Sequence, residues 1–308
     1  MPAYQHVVCV PTPDDRLVRC TDELRSYPPA AHTSPLAKRA GIAVGDAVAL
    51  AQARALWPVA EVDAGGVPAL LVDPTRGAAV GTLVGLHGGG YVLCSAATHV
   101  ERFTRMGVAA GWRTLVVDYR LAPEHPFPAA LDDACAAVSW AQARFGGPVA
   151  LVGDSAGGAL VLATLLHRRD RGDAPAQGAV SISPWADLTC SAASHTERRA
   201  IDPFAHLDDL PTYASMYAGG RPLDDPLLSP VHGDYRDLPP LLVQIGSTET
   251  LYDDAVAVAT AAASAGVATR LEEWQDMFHT WHGMAGGGLH GADEAVAAIG
   301  AFLRPLTG

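Results

Sequence analysis

From about residue 66 onward the chain alternates short apolar, β-branched runs with longer stretches whose apolar residues recur every three or four positions. Short apolar runs suit strands buried on both faces, and the longer period suits helices. The pattern therefore predicts βαβ units, a mostly parallel, doubly wound α/β sheet with helices on both faces. The strand candidates are Ala69 to Val72, Gly81 to Leu86, Thr114 to Asp118, Val149 to Gly153, Ala179 to Ile182, Leu241 to Ile245 and Thr269 to Trp274. Helical spacing runs over Ala129 to Arg144, Gly157 to Arg169, Asp253 to Ala265 and Ala292 to Leu303.

Two regions break this rhythm. The first 55 residues are rich in Pro and Ala, with one helix expected over Val44 to Leu56, and Pro184 to Pro230 is a long connection with a helix around Leu207 to Tyr217. A crossover needs far fewer residues, so both read as insertions packed over one end of the sheet. The expected organisation is a cap segment over 1–55 and one catalytic domain over 56–308, with a second cap contribution from about 185–228. A chain of 308 residues, 49% hydrophobic, can bury such a core in one domain.

Composition narrows the function. A net charge of −12 repels nucleic acid and anionic membrane, which leaves uncharged organic molecules as the natural substrates. No basic, apolar leader opens the sequence and no stretch approaches the length of a membrane span, so a cytoplasmic protein is expected. The five cysteines are widely spaced and form no C-x-x-C pair, which reads as free thiols. The only lysine is Lys38, outside any phosphate-loop context, which excludes a Walker A loop and disfavours a pyridoxal Schiff base; no cofactor is expected. There is no Asn, so an oxyanion formed in acyl transfer would need backbone N–H groups.

Two motifs supply that chemistry. Gly153-Asp154-Ser155-Ala156-Gly157 joins the apolar run Val149 to Val152 to the helical run after it. A nucleophile on a sharp strand-to-helix turn needs small neighbours, because a Cβ there would clash, and the helix N-terminus faces developing negative charge. His87-Gly88-Gly89-Gly90-Tyr91 follows the strand ending at Leu86, and consecutive glycines let successive N–H groups approach one point. A second triglycine, Gly286 to Gly288, follows no strand and reads as a loop.

A general base and an acid should follow the serine in the order Ser, acid, His. Of twelve histidines, His279, His282 and His290 lie late enough. His279 sits a few residues beyond the strand ending at Trp274, where a loop at the carboxyl end of the sheet would present it to Ser155; His282 is its competitor, and His290 reads as a capping or surface residue. The first carboxylate after the strand Leu241 to Ile245 is Glu249, placed to hold the imidazole tautomer. Asp253 and Asp254 begin the next helix and are explained by its dipole. A zinc site at the three histidines would lack a thiol or carboxylate at ligand spacing and would leave Ser155 unexplained, so no metal is expected.

Together these residues resemble the hormone-sensitive-lipase-like, or family IV, bacterial esterases, in the branch whose nucleophile motif reads GDSAG. The resemblance covers His87 to the C-terminus and includes His87 to Tyr91, Asp118 to Ala130, Gly153 to Gly158, Ser229-Pro230 and Leu238-Pro239-Pro240. It implies an α/β-hydrolase fold and a triad of Ser155, Glu249 and His279. It also implies an oxyanion hole from the N–H groups of Gly89, Gly90 and Ala156, with Gly88 shaping the turn. Arg120, Glu124 and His125 are implied to brace the oxyanion loop, and a homodimer through an exposed edge at Thr269 to Trp274 is implied as possible. The family's usual acid is Asp where this chain has Glu249, and Gly and Phe commonly stand where Thr280 and Trp281 stand here, which puts Trp281 at the pocket.

The expected activity is hydrolysis of short- to medium-chain carboxylic esters, small-molecule substrates, through an acyl-enzyme. Lactone, amide or carbamate cleavage and acyl transfer use the same site. Plant hormone receptors resembling the family lose the triad histidine, whereas His279 is present here. Neither cap segment carries the strongly apolar helix of an interfacial lipase.

Overall fold

The computed structural model describes residues 4–26, 34–203 and 209–307. In chain order the strands are β1 (Tyr4–Cys9), β2 (Val59–Asp63), β3 (Pro68–Val72), β4 (Thr82–Leu86), β5 (Arg113–Val117), β6 (Val149–Asp154), β7 (Gly178–Ile182), β8 (Leu241–Gly246) and β9 (Thr269–Trp274). The helices are α1 (Asp15–Ser26), α2 (Pro35–Leu56), α3 (Ala96–Ala110), α4 (Ala129–Phe145), α5 (Ala156–Asp170), α6 (Ser194–Glu197), α7 (Leu210–Ala218), α8 (Tyr252–Ser264) and α9 (His290–Leu303). The strands form one sheet in the order β1-β9-β8-β7-β6-β4-β5-β3-β2. Of these pairs only β2–β3 and β3–β5 are antiparallel.

Alternation within the buried strands splits the core into two layers. Val84 and Leu86 of β4 and Val149 and Leu151 of β6 pack with Val138 of α4, Leu160 of α5 and Val258 of α8. Leu83, Ala150 and Val152 point the other way, to Val100 and Phe103 of α3 and Ile299 of α9. A central strand between two helix layers can therefore be apolar at every position.

All seven expected strands are present, each within a residue or two of its expected bounds. The expected helix over Val44 to Leu56 begins nine residues earlier, with Ser34 accepting from Ala37 N and Pro35 in the first turn. The helix expected around Leu207 to Tyr217 is α7; residues 207 and 208 lie outside the described residues. Residues 4–9, grouped with the cap by the sequence pattern, form β1 and lie in the main sheet. This strand pairs in parallel with all six residues of β9, so Thr269 to Trp274 is flanked on both sides and is not the sheet edge it was expected to be. The basis for a dimer through that edge goes with it.

Candidate active site

Ser155 stands between the last residue of β6 and the first of α5, with φ 56° and ψ −122°. A non-glycine residue rarely holds a positive φ, and such strain concentrates at functional turns. Small neighbours permit it here. A Cβ on Gly157 would lie 2.0 Å from Leu86 O, and one on Gly153 would lie 2.2 Å from Gly157 O. Ser155 N donates to Ile182 O at 2.9 Å, which ties the turn to β7.

Peptide planarity then decides where the neighbouring N–H groups point, because in a trans peptide the C=O and N–H are opposed. The Gly89 carbonyl accepts from Val92 N (3.1 Å) and Leu93 N (2.8 Å), which turns the Gly90 N–H the opposite way. The Gly88 carbonyl lies 2.8 Å from His87 Nδ1, which must be the donor, and this aims the Gly89 N–H. The Ser155 carbonyl accepts from Ala159 N and Trp185 N, which aims the Ala156 N–H. Among the described residues no acceptor takes the N–H of Gly89, Gly90 or Ala156. Gly88 differs: its N–H donates to Asp154 Oδ1 at 3.0 Å. It shapes the turn and is not itself available as a donor to a bound oxyanion.

His87 supports this loop without being exposed to it. Burial pulls its pKa down to about 3, so it stays neutral, and its ring stacks on Tyr119 at 4.1 Å. Tyr119 Oη donates to His87 O at 2.5 Å. The carboxylate of Asp154, which holds Gly88, is buried. Burial alone would raise its pKa, but His99 and Arg102 outweigh it and hold the group well below the carboxylate range. Arg102 Nη1 donates to Asp154 Oδ2 at 2.5 Å, and His99 Nε2 lies 3.3 Å from the same oxygen.

On the other side of Ser155, His279 Nδ1 lies 2.8 Å from Glu249 Oε2. Because the carboxylate only accepts, Nδ1 carries the proton and Nε2 is left as the basic nitrogen. Burial lowers the His279 pKa, but the hydrogen bond and charge of Glu249 more than offset it, leaving it above the ordinary histidine value. Glu249 is fully buried, and burial raises its pKa. Its other oxygen accepts from Gly246 N at 2.7 Å and from Ser183 Oγ at 2.8 Å, so the carboxylate is fixed on three sides. Ser183 also accepts from Thr280 N at 3.4 Å, joining the acid to the loop that carries His279. Nothing in its sequence context marked Ser183, which depends on a contact across 66 residues of chain.

The competing histidines lie elsewhere. His282 is buried with Nε2 2.7 Å from Gln244 Oε1, and burial pulls its pKa to about 3. Gln244 passes the network on to Glu272. His290 is on the surface at the start of α9, its N–H donating to Asp14. Asp254 corrects the helix-dipole reading. It is buried and accepts from Ala186 N and Asp187 N, both at 2.9 Å, so it anchors the long connection after β7. Trp281 packs in the core against Trp274 and does not line the cleft; Thr280 does. Arg120 and Glu124 form no shared brace under the oxyanion loop: Arg120 pairs with Asp133 of α4, and Glu124 pairs with Arg39 of α2.

Ser155, His279, Thr280 and Gly88 to Gly90 line one cleft of about 260 Å³, closed by Leu93, Cys94, Leu210 and Tyr213. This is the room a small ligand needs, and it brings the Ser155 hydroxyl, the His279 imidazole and the unaccepted N–H groups of Gly89 and Gly90 onto one surface, with His99, Arg102 and Asp154 also on its lining.

A family model described as the alpha/beta hydrolase fold matches residues 83–283. An acetyl-hydrolase of Streptomyces hygroscopicus is 46% identical over 229 residues, which cover 74% of this chain and 76% of that one. The crystal structure of an esterase/lipase from an uncultured bacterium superposes with a TM-score of 0.89 at 35% identity, covering 96% of this chain and 99% of that one. An esterase from the bacterial hormone-sensitive lipase family superposes with a TM-score of 0.84 at 36% identity, over 96% and 98% of the two chains.

Proposed function

The chain belongs to the hormone-sensitive-lipase-like family of α/β hydrolases and is a carboxylic ester hydrolase, and on that premise we propose that it works through a Ser155–His279–Glu249 triad and an acyl-enzyme. His279 Nε2 takes the proton of Ser155 Oγ as the oxygen attacks the ester carbonyl. The carbonyl π electrons move to the oxygen, which the N–H groups of Gly89, Gly90 and Ala156 receive. The alcohol leaves with the proton from His279. Water, deprotonated by the same imidazole, then releases the acid. Glu249 keeps the proton on Nδ1 and stabilises the imidazolium without accepting the proton itself.

The observation that carries this reading is the pair of unaccepted N–H groups, of Gly89 and Gly90, on the same cleft as the strained Ser155 and as His279, whose imidazole is already oriented by a buried carboxylate; the unaccepted N–H of Ala156 follows Ser155 directly. Cleft size supports short acyl groups, and the relative named an acetyl-hydrolase points the same way. Cap helices α2 and α7 would close over the ester, with Leu210 and Tyr213 against its acyl or alcohol chain.

The test is hydrolysis of p-nitrophenyl acetate, butyrate and octanoate by the full chain beside Ser155→Ala. We expect turnover of the two short esters, a pre-steady-state burst of one p-nitrophenol per site, and loss of both in Ser155→Ala. Equal rates in the two proteins would sink the proposal.

A further inference from the structure

Two adjacent cations on α2 reach both walls of the cleft without lining it. Arg39 Nε donates to Val92 O at 2.6 Å, its Nη2 donates to Ala122 O, and its Nη1 donates to Glu124 Oε1 at 2.8 Å. Lys38 donates to Asp209 and to Tyr213 Oη, with its ammonium 5.6 Å from the Tyr213 ring centre. Tyr213 in turn lies over the oxyanion loop: a Cβ on Gly90 would fall 2.6 Å from its ring. Both cations lie outside the segment that matches the family model.

We propose that Arg39 is a positioning residue for the oxyanion donors, and that with Lys38 it makes α2 the strut that keeps the oxyanion loop and the cap in register. This rests on reading Gly89 and Gly90 as those donors.

The connection is short. Val92 N donates to Gly89 O, and that bond sets the peptide whose N–H is Gly90's; the carbonyl of the same Val92 takes Arg39 Nε. Ala122 N donates to Tyr91 O at 3.0 Å, and the carbonyl of the same Ala122 takes Arg39 Nη2. The guanidinium thus closes a ring around residues 89–93 from outside. Val92 and Ala122 are buried, so water is a poor substitute for the lost donors. The Glu124 carboxylate is 48% exposed, and such a surface pair contributes little on its own. The two carbonyls carry the role, and only a planar fork reaches both at once.

The experiment compares wild type, Arg39→Ala, Arg39→Lys and Glu124→Gln on p-nitrophenyl butyrate. It adds an alkyl trifluoromethyl ketone of matching length, to whose carbonyl Ser155 Oγ adds while its proton passes to His279. The hemiketal oxyanion then reports on the donors. Stoichiometric phosphonylation counts active sites. In Arg39→Ala we expect kcat per active site to fall about 10- to 100-fold and ketone affinity to weaken by a similar factor. KM should change by less than about threefold and the acid limb of the pH profile should stay in place. Arg39→Lys should recover only part of the loss, and Glu124→Gln should behave as wild type. Unchanged ketone affinity in Arg39→Ala, or a loss confined to the number of active sites, overturns the proposal. A wild type that neither turns over the ester nor binds the ketone brings down the oxyanion reading itself, and this inference with it.

Discussion

The two walls of the cleft are built from different material. The sheet wall, Gly88 to Gly90 with Ser155, presents the main-chain N–H groups of Gly89 and Gly90, whose directions follow from bonds made by the carbonyl of the same peptide. The other wall, which we read as the cap, presents the side chains of Leu210 and Tyr213 on α7, a nine-residue helix held to α2 by Lys38. Charge stabilisation needs donors fixed to fractions of an ångström, and planar peptides in a tight turn supply that. Selection among acyl chains needs only shape, which side chains on a short helix can supply and readily change. On the proposed mechanism, chemistry and selectivity would thereby be separated in space.

Five substitutions or titrations would break or sharpen that contrast. The largest effect is expected from Glu249→Gln, which leaves the cleft walls intact but removes the charge that fixes the His279 tautomer. Its kcat should fall on the order of 10⁴-fold with little change in KM, measured on p-nitrophenyl acetate. Next, Asp154→Ala removes the buried partner of Arg102 and the anchor of Gly88, and chemical denaturation should show a loss of about 3–5 kcal/mol. Because the Asp154 pKa is depressed in the folded state, its contribution is present at neutral pH and is lost as pH falls through that depressed value. In wild type the denaturation midpoint should therefore drop in acid, and in Asp154→Ala that part of the pH dependence should vanish.

Gly89→Ala attacks the sheet wall directly. With φ 112° and a Cβ 2.3 Å from Leu93 O, the turn must move and misdirect its N–H groups. Turnover should fall about 10²- to 10³-fold. Tyr213→Ala attacks the cap wall instead, and there we expect about a tenfold shift in the butyrate-to-octanoate ratio of kcat/KM with the acid limb unmoved. The smallest effect is the position of that limb. On the proposed mechanism activity needs neutral His279, whose pKa is raised, so kcat/KM should climb with pH through a midpoint above the ordinary histidine value of about 6.5. In Glu249→Gln burial is opposed only by the smaller influence of the Asp202 and Asp154 charges, and the midpoint should move down.

Sheet and site were unequally legible in the sequence. Most of strands β3 to β8 announced themselves because burial on both faces leaves a largely apolar run, whereas β9, with Arg270, Glu272 and Glu273, was marked by Leu271 and Trp274 and its β-branched start. Strand β1 did not: its residues alternate between exposed and half-buried, with Gln5 and His6 among them, so the pattern fades at the margin of the sheet. Strand β2 is half-exposed for the same reason. Helix α3 was hidden by His99 and Thr104, polar residues buried on its inner face, although its Ser95–Thr98 capping box and Gly111 terminus are local signals that could have found it. The Ser155 turn and the glycine loop were readable because steric need writes glycine into consecutive positions. Ser183, Arg102 and Arg39 were not readable. Each acts through contacts made only after distant segments meet, and a serine or arginine looks the same in sequence whether it holds a carboxylate or faces water.

Strand β1 has a further consequence for how the molecule assembles. Among the described strands it comes first in the chain and its partner β9 comes last, so their pairing has to wait until β9 has been made. The same late docking ties Gln275 N to Cys9 O at 2.9 Å, at the start of the loop that leads to His279. The loop that carries His279 is therefore held from two sides, by the segment after β8 through Ser247 N to Trp274 O and Thr248 Oγ1 to Met277 O, and by this bond from β1. On the proposed reading of His279 as the base, completing the sheet adds the last tie on the loop that carries it.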